Sequence, residues 1–244
     1  SFSDGGKFNQ IDAALKHAEE MIRDGADVID IGGESTRPWG YTKISDEEET
    51  GRVVPVIEAV KKEFGIPISV DTYKSGVAEA AAQAGADLIN DIWGLKYDPD
   101  LAGVIARKNA PCCLMHNRKE PDYTDFIADF LKDMQETIDI AKKAGIADEN
   151  IILDPGVGFG KTYENNLEII NKLECMHTLG YPILLGTSRK SVIGLTLDLP
   201  ADQRMEGTVA TTVIGVMKGV AFVRVHDVKE NYRALKMTEA ILGR

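Results

Sequence analysis

The run "ILDPGVGFGKT", residues 152–162, decides how the chain is read. Gly160, Lys161 and Thr162 supply the second half of a Walker A loop, G-x-x-x-x-G-K-[ST], which cradles nucleotide phosphates. Where the first glycine of that pattern belongs stands Pro155. Proline has a fixed φ and no N–H to offer a phosphate. Either this is a damaged nucleotide loop or its glycines serve something else.

Outward from this run, short β-rich stretches alternate with longer amphipathic ones. Strands are expected at "DVIDIGG" (27–33), "PISVDT" (67–72), "DLINDI" (87–92), "CCLMH" (112–116), "NIILDP" (150–155), "PILLGTS" (182–188) and "AFVRVHD" (221–227). Helices are expected between them, as in "QIDAALKHAEEMIRDG", "DEEETGRVVPVIEAVKKEFG" and "DFIADFLKDMQETIDIAKKAG". Several end in glycine after a basic turn, Lys143 then Gly145 for example, while Pro55 interrupts the second. Apolar strands each followed by a helix imply parallel strands covered by helices. An open doubly wound sheet and a (β/α)8 barrel both satisfy that rule. A helix starting near Lys7 has no strand before it, and "SFSDGG" reads as the loop after a missing first strand. Eight units favour the TIM barrel, with residues 1–244 as a single domain. On this reading the expressed protein has an upstream segment, because a barrel without that strand would expose two unpaired edges.

Composition narrows the function. Of 244 residues 43% are hydrophobic and 27% charged, and the net charge is −11. A nucleic-acid partner would call for a basic face. No apolar run approaches the roughly 18 residues that span a bilayer. Three cysteines, Cys112 and Cys113 adjacent, have no metal-ligand spacing and read as core thiols of a cytoplasmic protein.

Chemistry in parallel α/β folds belongs beyond the carboxyl ends of the strands. Asp30, Asp71, Asn90, His116, Asp154, Ser188, Arg224 and His226 all fall there. Side chains two apart on a strand share a face, which pairs Arg224 with His226 and Ser69 with Asp71. Any one of these could be a cap or a satisfied core group; polar residues at the end of nearly every strand point to an active site. His17 and His177 fall on helical stretches and read as surface residues, and four unclustered histidines argue against zinc. Arg37, Lys161, Arg189, Lys190 and Arg224 gather basic charge at the same ends of an acidic chain, which suits a small anion. The hydroxyls, lysine and N–H groups of "GTSRKS" (186–191) suit one too, and Asp71 and Asp154 suit a nitrogen-rich heterocycle.

In order and at fitting distances, "SFSDGG" (1–6), "DIGGESTRP" (30–38), "SVDT" (69–72), "LIND" (88–91), "DPGVGFGK" (154–161), "GTSRKS" (186–191) and "RVHD" (224–227) resemble the dihydropteroate synthase family. The resemblance implies a pterin-binding (β/α)8 barrel. It joins 6-hydroxymethyl-7,8-dihydropterin pyrophosphate to p-aminobenzoate, a sulfonamide-sensitive step of folate biosynthesis, and releases pyrophosphate with Mg2+ present. It places the pterin among Asp71, Asn90, Asp154 and Lys190, with Ile92, Met115, Phe159 and Gly186 lining the slot. Arg224 and His226 take the pyrophosphate, and Phe2, Thr36, Arg37, Pro38 and Ser188 frame p-aminobenzoate. Asp4 closes over the pterin. The glycines of the opening run then turn the chain after Asp154 and let Phe159 approach a flat ring, so the Walker likeness is accidental.

Two features depart from the family. Its Asn-Val-Thr-Pro-Asp segment, whose Asn serves pyrophosphate and Mg2+, is not in this sequence, so no metal ligand is assigned here. Trp39 stands where the family often has glycine. The resemblance implies carbon–oxygen cleavage with dissociative character and no nucleophilic side chain. It also implies a homodimer, which the apolar run "GTVATTVIGVMKGV" (207–220) supports. The nearest alternative is the pterin-binding methyltransferase domain of corrinoid enzymes, which has no use for the Arg-x-His pair.

Overall fold

A computed structural model describes residues 7–35 and 43–244. Phe2, Asp4, Thr36, Arg37, Pro38 and Trp39 therefore lie outside the described residues. The chain divides into two compact units, Ser1–Leu114 with Asp139–Ile151, and Met115–Ile138 with Ile152–Arg244.

The first unit runs α1 (Lys7–Arg23), β1 (Ile29–Gly32), α2 (Asp46–Phe64), β2 (Ile68–Asp71), α3 (Ser75–Ala84), β3 (Leu88–Asp91), α4 (Leu101–Lys108) and β4 (Cys112–Met115). Its strands lie side by side in chain order and all parallel, registered Ile29↔Ile68, Ser69↔Leu88 and Ile89↔Cys112. Strands β2 and β4 are buried on both faces; β4 has the near-continuous apolar sequence this calls for, whereas β2 buries Ser69 and Asp71 beside Ile68 and Val70. The helices start and stop where their ends can be satisfied. Ser45 accepts the Glu48 N–H to open α2 behind four acidic residues, and Gly65 closes it at φ 62 with its N–H on the Lys61 carbonyl. Pro55 lies inside α2 without ending it, and Val53, Val56, Ile57 and Val60 form its buried stripe. Cys112 and Cys113 are buried as expected, and burial, with the Asp91 charge behind it, pushes the Cys112 thiol up to about 12.

Helix α5 (Phe126–Ala144) follows β4, and the second unit continues with β5 (Ile151–Asp154), α6 (Tyr163–Asn171), β6 (Leu184–Leu185), α7 (Ser191–Leu197), α8 (Met205–Met217), β7 (Phe222–Val223) and α9 (Val228–Leu242). A parallel bridge joins Leu153 to Ile183, and Leu184 pairs with Phe222. The expected strands 182–188 and 221–227 thus shrink to two residues each. The Arg224 N–H still reaches the Leu185 carbonyl at 3.0 Å, but the His226 N–H bonds the Ser188 hydroxyl instead of a ladder carbonyl. Arg224 and His226 lie past the end of β7, so strand alternation does not set their directions.

One strand end carries a measurable stability signature. Fully buried, Asp91 accepts the Trp93 and Leu95 N–H groups at 2.8 and 2.6 Å and closes the turn after β3. Burial pushes its pKa from 3.8 to about 6, opposed by those two N–H groups and aided by the charges of Asp71 and Asp98. The folded carboxyl therefore keeps its proton to higher pH than the unfolded one. The native state binds more protons between these values, and stability falls as pH rises through that window. Two units correspond to about 3 kcal/mol. Urea denaturation from about pH 4 to about pH 7 should show this loss in the wild type relative to Asp91→Asn, which cannot ionise there. Parallel pH dependence in both proteins would show that the Asp91 charge carries no such cost.

Candidate active site

Asp154 closes β5, and the chain turns at once, its Oδ1 accepting the Gly156 N–H at 2.6 Å. Gly156 and Gly160 have φ of 65 and 53, a region that L side chains rarely adopt. A Cβ on Gly156 would stand 1.9 Å from the His116 carbonyl oxygen, and one on Gly160 2.3 Å from that of Arg118. The room these glycines leave is taken by protein backbone, not by a ring. Lys161 donates to the carbonyls of Gly156 and Phe159 at 2.9 and 3.1 Å and pairs with His116 Nδ1 at 2.8 Å. Thr162 caps α6, accepting the Asn165 N–H. Neither the lysine nor the hydroxyl of the Walker-like sequence faces outward to a phosphate. This is not a P-loop.

Around Asp154 the second unit gathers most of the residues expected there. A Cβ placed on Gly186 would lie 3.6 Å from Asp154 Oδ2 and 3.9 Å from Lys190 Nζ, so carboxylate and ammonium flank that glycine. The same ammonium lies 4.9 Å from the centre of the Phe159 ring and donates to the Val157 carbonyl at 2.6 Å. Burial raises the Asp154 pKa, opposed in turn by Lys190, the Gly156 N–H, Arg224 and Lys161. Met115 is buried against the turn, its Cγ 3.2 Å from the Gly156 Cβ position. Ser188 and His226 pair, Oγ to Nδ1 at 2.8 Å, while the His226 N–H returns to Oγ. If the hydroxyl donates to Nδ1, the ring proton sits on Nε2.

In the first unit Asp71 and Asn90 stand opposite one another at the ends of β2 and β3, both buried, with buried Ile92 just beyond. Nearby, Lys74 bridges Glu34 at 2.9 Å and Glu49 at 2.7 Å, three side chains almost fully buried. Tyr73 also donates to Glu34, and the Ile44 N–H bonds the same carboxylate at 2.9 Å.

Two basic residues expected to meet an anion are committed elsewhere. Arg189 forks onto Asp227, and Lys161 turns inward to carbonyls and a histidine. Two of the hydroxyls of "GTSRKS" are likewise engaged by protein, Thr187 with Thr211 and Ser188 with His226. His17 and His177 are exposed, as expected. Sequence reasoning missed the half-buried carboxylate of Asp133, which holds His116 Nε2 at 3.0 Å and Arg118 Nε at 2.6 Å. It also missed the Glu34–Lys74–Glu49 cluster, whose one sequence signal is the position of Glu34 next to the "STRP" segment. Among the described residues no group of three His, Cys, Asp or Glu side chains could hold a metal ion. The implied Mg2+ therefore rests on the resemblance, and no step of the reaction is routed through it.

Comparison with known proteins agrees with this geometry. The family described as pterin binding enzyme matches residues 1–226. The dihydropteroate synthase of Clostridium beijerinckii is 65% identical over 245 residues, covering 100% of this chain and 91% of that one. The crystal structure of the Clostridium difficile dihydropteroate synthase, determined in the presence of pteroic acid, superposes with a TM-score of 0.96 at 50% identity, covering 100% of this chain and 92% of that one. A Yersinia pestis dihydropteroate synthase solved with a sulfonamide drug gives a TM-score of 0.93 at 44% identity, covering 100% and 90%. These matches agree with the barrel class expected from the strand–helix alternation. Matched along such lengths of related chain, the chain belongs to the pterin binding enzymes, among the dihydropteroate synthases, which are transferases.

Proposed function

We propose that the chain condenses 6-hydroxymethyl-7,8-dihydropterin pyrophosphate with p-aminobenzoate, giving 7,8-dihydropteroate and pyrophosphate. The observation that carries this reading is the Asp154 carboxylate and Lys190 ammonium flanking Gly186 beside the Phe159 ring. A carboxylate accepts two parallel hydrogen bonds, which suits the amino and ring N–H edge of a pterin; an ammonium donates to ring acceptors. The glycine puts no side chain beside either group. Asp71, Asn90, Ile92 and Met115 are further pterin contacts on the resemblance, as Phe2, Thr36, Arg37, Pro38 and Ser188 are for p-aminobenzoate and Asp4 is for closure.

In the reaction, the bond between the exocyclic methylene and the pyrophosphate oxygen breaks, and its electron pair leaves with the anion. Positive charge develops on the methylene and spreads into the pterin, where Asp154 and Asp71 stabilise it. Arg224 and His226 stabilise the departing pyrophosphate. The amine lone pair of p-aminobenzoate then forms the new carbon–nitrogen bond, and the amine loses a proton. No side-chain nucleophile is needed, and positioning carries much of the rate. The Mg2+ requirement rests on the resemblance alone and is tested by adding and chelating the ion. Among the described residues no helix is long and apolar enough to cross a membrane, and the net charge of −11 speaks against nucleic acid. Free buried thiols support a cytoplasmic setting.

The assay is formation of dihydropteroate from the two substrates. Methyl transfer from methyltetrahydrofolate to a corrinoid, with no dihydropteroate, would reject the proposal. In titration calorimetry with a bare pterin, Asp154→Asn should lose roughly 1.5–3 kcal/mol, the worth of a charge-assisted hydrogen bond. Unchanged affinity in a folded variant would reduce Asp154 to a turn cap.

A homodimer is part of the same proposal. Helices α8 and α9 leave Ile214, Met217, Met237 and Ile241 exposed, Met217 at 60% and Ile241 at 72%. Exposed apolar area on neighbouring helices calls for cover. Sedimentation at micromolar concentration should give twice the chain mass, and a monomer there would refute the dimer.

A further inference from the structure

Lys161 is the residue of the opening run whose position the proposed reaction leaves unused. Its ammonium turns inward and makes three hydrogen bonds, to the carbonyls of Gly156 and Phe159 and to His116 Nδ1, at 2.9, 3.1 and 2.8 Å. An ammonium has three protons, and three acceptors receive them. His116 can accept only with its proton on Nε2, and Nε2 lies 3.0 Å from Asp133 Oδ2. Arg118 fixes that carboxylate from the other side, with Nε at 2.6 Å and Nη2 at 3.1 Å. The His116 ring is packed 4.7 Å from Phe130, which restricts its rotation. Burial pushes the Lys161 pKa well down, the charges of Lys190 and Arg118 add to that, and the carboxylates of Asp154 and Asp133 oppose it.

We propose that Lys161 is a positioning residue for the pterin: held by the Asp133–His116 pair, it pins the carbonyls of the turn that carries Asp154 and Phe159. The inference rests on the reading of those two residues as pterin contacts. It acts through the backbone, since both carbonyls bound by Lys161 lie between the carboxylate and the ring or on the ring residue itself. Losing the lysine removes the donor to the Phe159 carbonyl and leaves the Gly156 carbonyl with the Phe159 N–H alone, so the turn loses two of the bonds that hold its shape.

Lys161→Met keeps an unbranched side chain one atom shorter and removes the hydrogen-bond donors. Its dissociation constant for a bare pterin should rise about tenfold or more, as for loss of a hydrogen bond to a charged group. The KM for pterin pyrophosphate should rise with it while the KM for p-aminobenzoate changes little. His116→Asn retains an acceptor near the place of Nδ1 and should bind pterin nearly as the wild type does. His116→Leu has none and should bind as weakly as Lys161→Met. Asp154→Asn, measured alongside, separates the two ideas. A folded Lys161→Met with wild-type pterin affinity overturns the positioning role, and if Asp154→Asn is also silent the site reading falls with it. Should Lys161→Met fail to fold, the histidine pair decides, and equal pterin binding by His116→Asn and His116→Leu overturns the proposal.

Discussion

The second unit depends on one contact, the backbone of the turn after β5 lying directly on the backbone after β4. Any side chain at Gly156 or Gly160 would collide with main-chain atoms of His116 or Arg118, so this approach is open to glycine alone. Backbone packed this closely shuts out water, and each polar group it encloses must find a partner within the protein. The Gly156 carbonyl receives the Phe159 N–H and the Lys161 ammonium; the Gly160 carbonyl receives the Tyr123 hydroxyl at 2.7 Å. Turning a cation inward to satisfy carbonyls creates a new demand, and His116 with Asp133 meets it. Burial pushes the Asp133 pKa up, but His116 and Arg118 hold it well below the usual carboxylate range. Each member of this series is present because the one before it cannot be left unpaired.

Buried charges differ in how fully protein partners engage them. In the first unit Lys74 donates to Glu34 and the Ile44 carbonyl and ion-pairs with Glu49, and the Ile44 N–H bonds Glu34. Replacing such a buried cluster by apolar residues is often neutral for stability, while its bonds do set a geometry. Here the geometry fixed is that of Glu34 and Ile44, on either side of residues 36–42. Asp154 is arranged differently. One oxygen is committed to the turn, while the other lies beside Gly186, as the Lys190 ammonium does. A carboxylate buried this way costs more to ionise, and Lys190 and Arg224 offset much of that cost.

Strands were legible in the sequence because apolar runs ending in polar residues are what buried parallel strands require. Their lengths were not legible at β6 and β7, where side chains of Ser188 and neighbouring groups capture backbone N–H groups that a ladder would otherwise use. Asp154, Lys190, Gly186 and Phe159 could be named because position at a strand end, together with the family motifs, marks them. The sign of a charge did not reveal its partner. Lys161 and Arg189 looked like anion ligands, yet one meets carbonyls and a histidine and the other meets Asp227. Asp133 was beyond sequence reasoning altogether. It is one acid among several along α5, and only the folded chain shows that its face of the helix turns to His116.

The likeness to a Walker loop is instructive because the residues agree and the chemistry is inverted. In a nucleotide loop, glycines expose N–H groups to an anion and the lysine adds positive charge. Here the glycines press backbone against backbone, which leaves carbonyl oxygens as the groups in need, and the lysine turns inward to them. The compact ammonium suits this place. Its protons diverge tetrahedrally toward three acceptors, whereas the planar fork of an arginine would aim several donors at one side and bring greater bulk. The proline that spoiled the nucleotide reading also fits. It occupies the position after Asp154 where no N–H is wanted, so the carboxylate takes the next one, from Gly156, and the turn begins one residue later than a nest of N–H groups would allow.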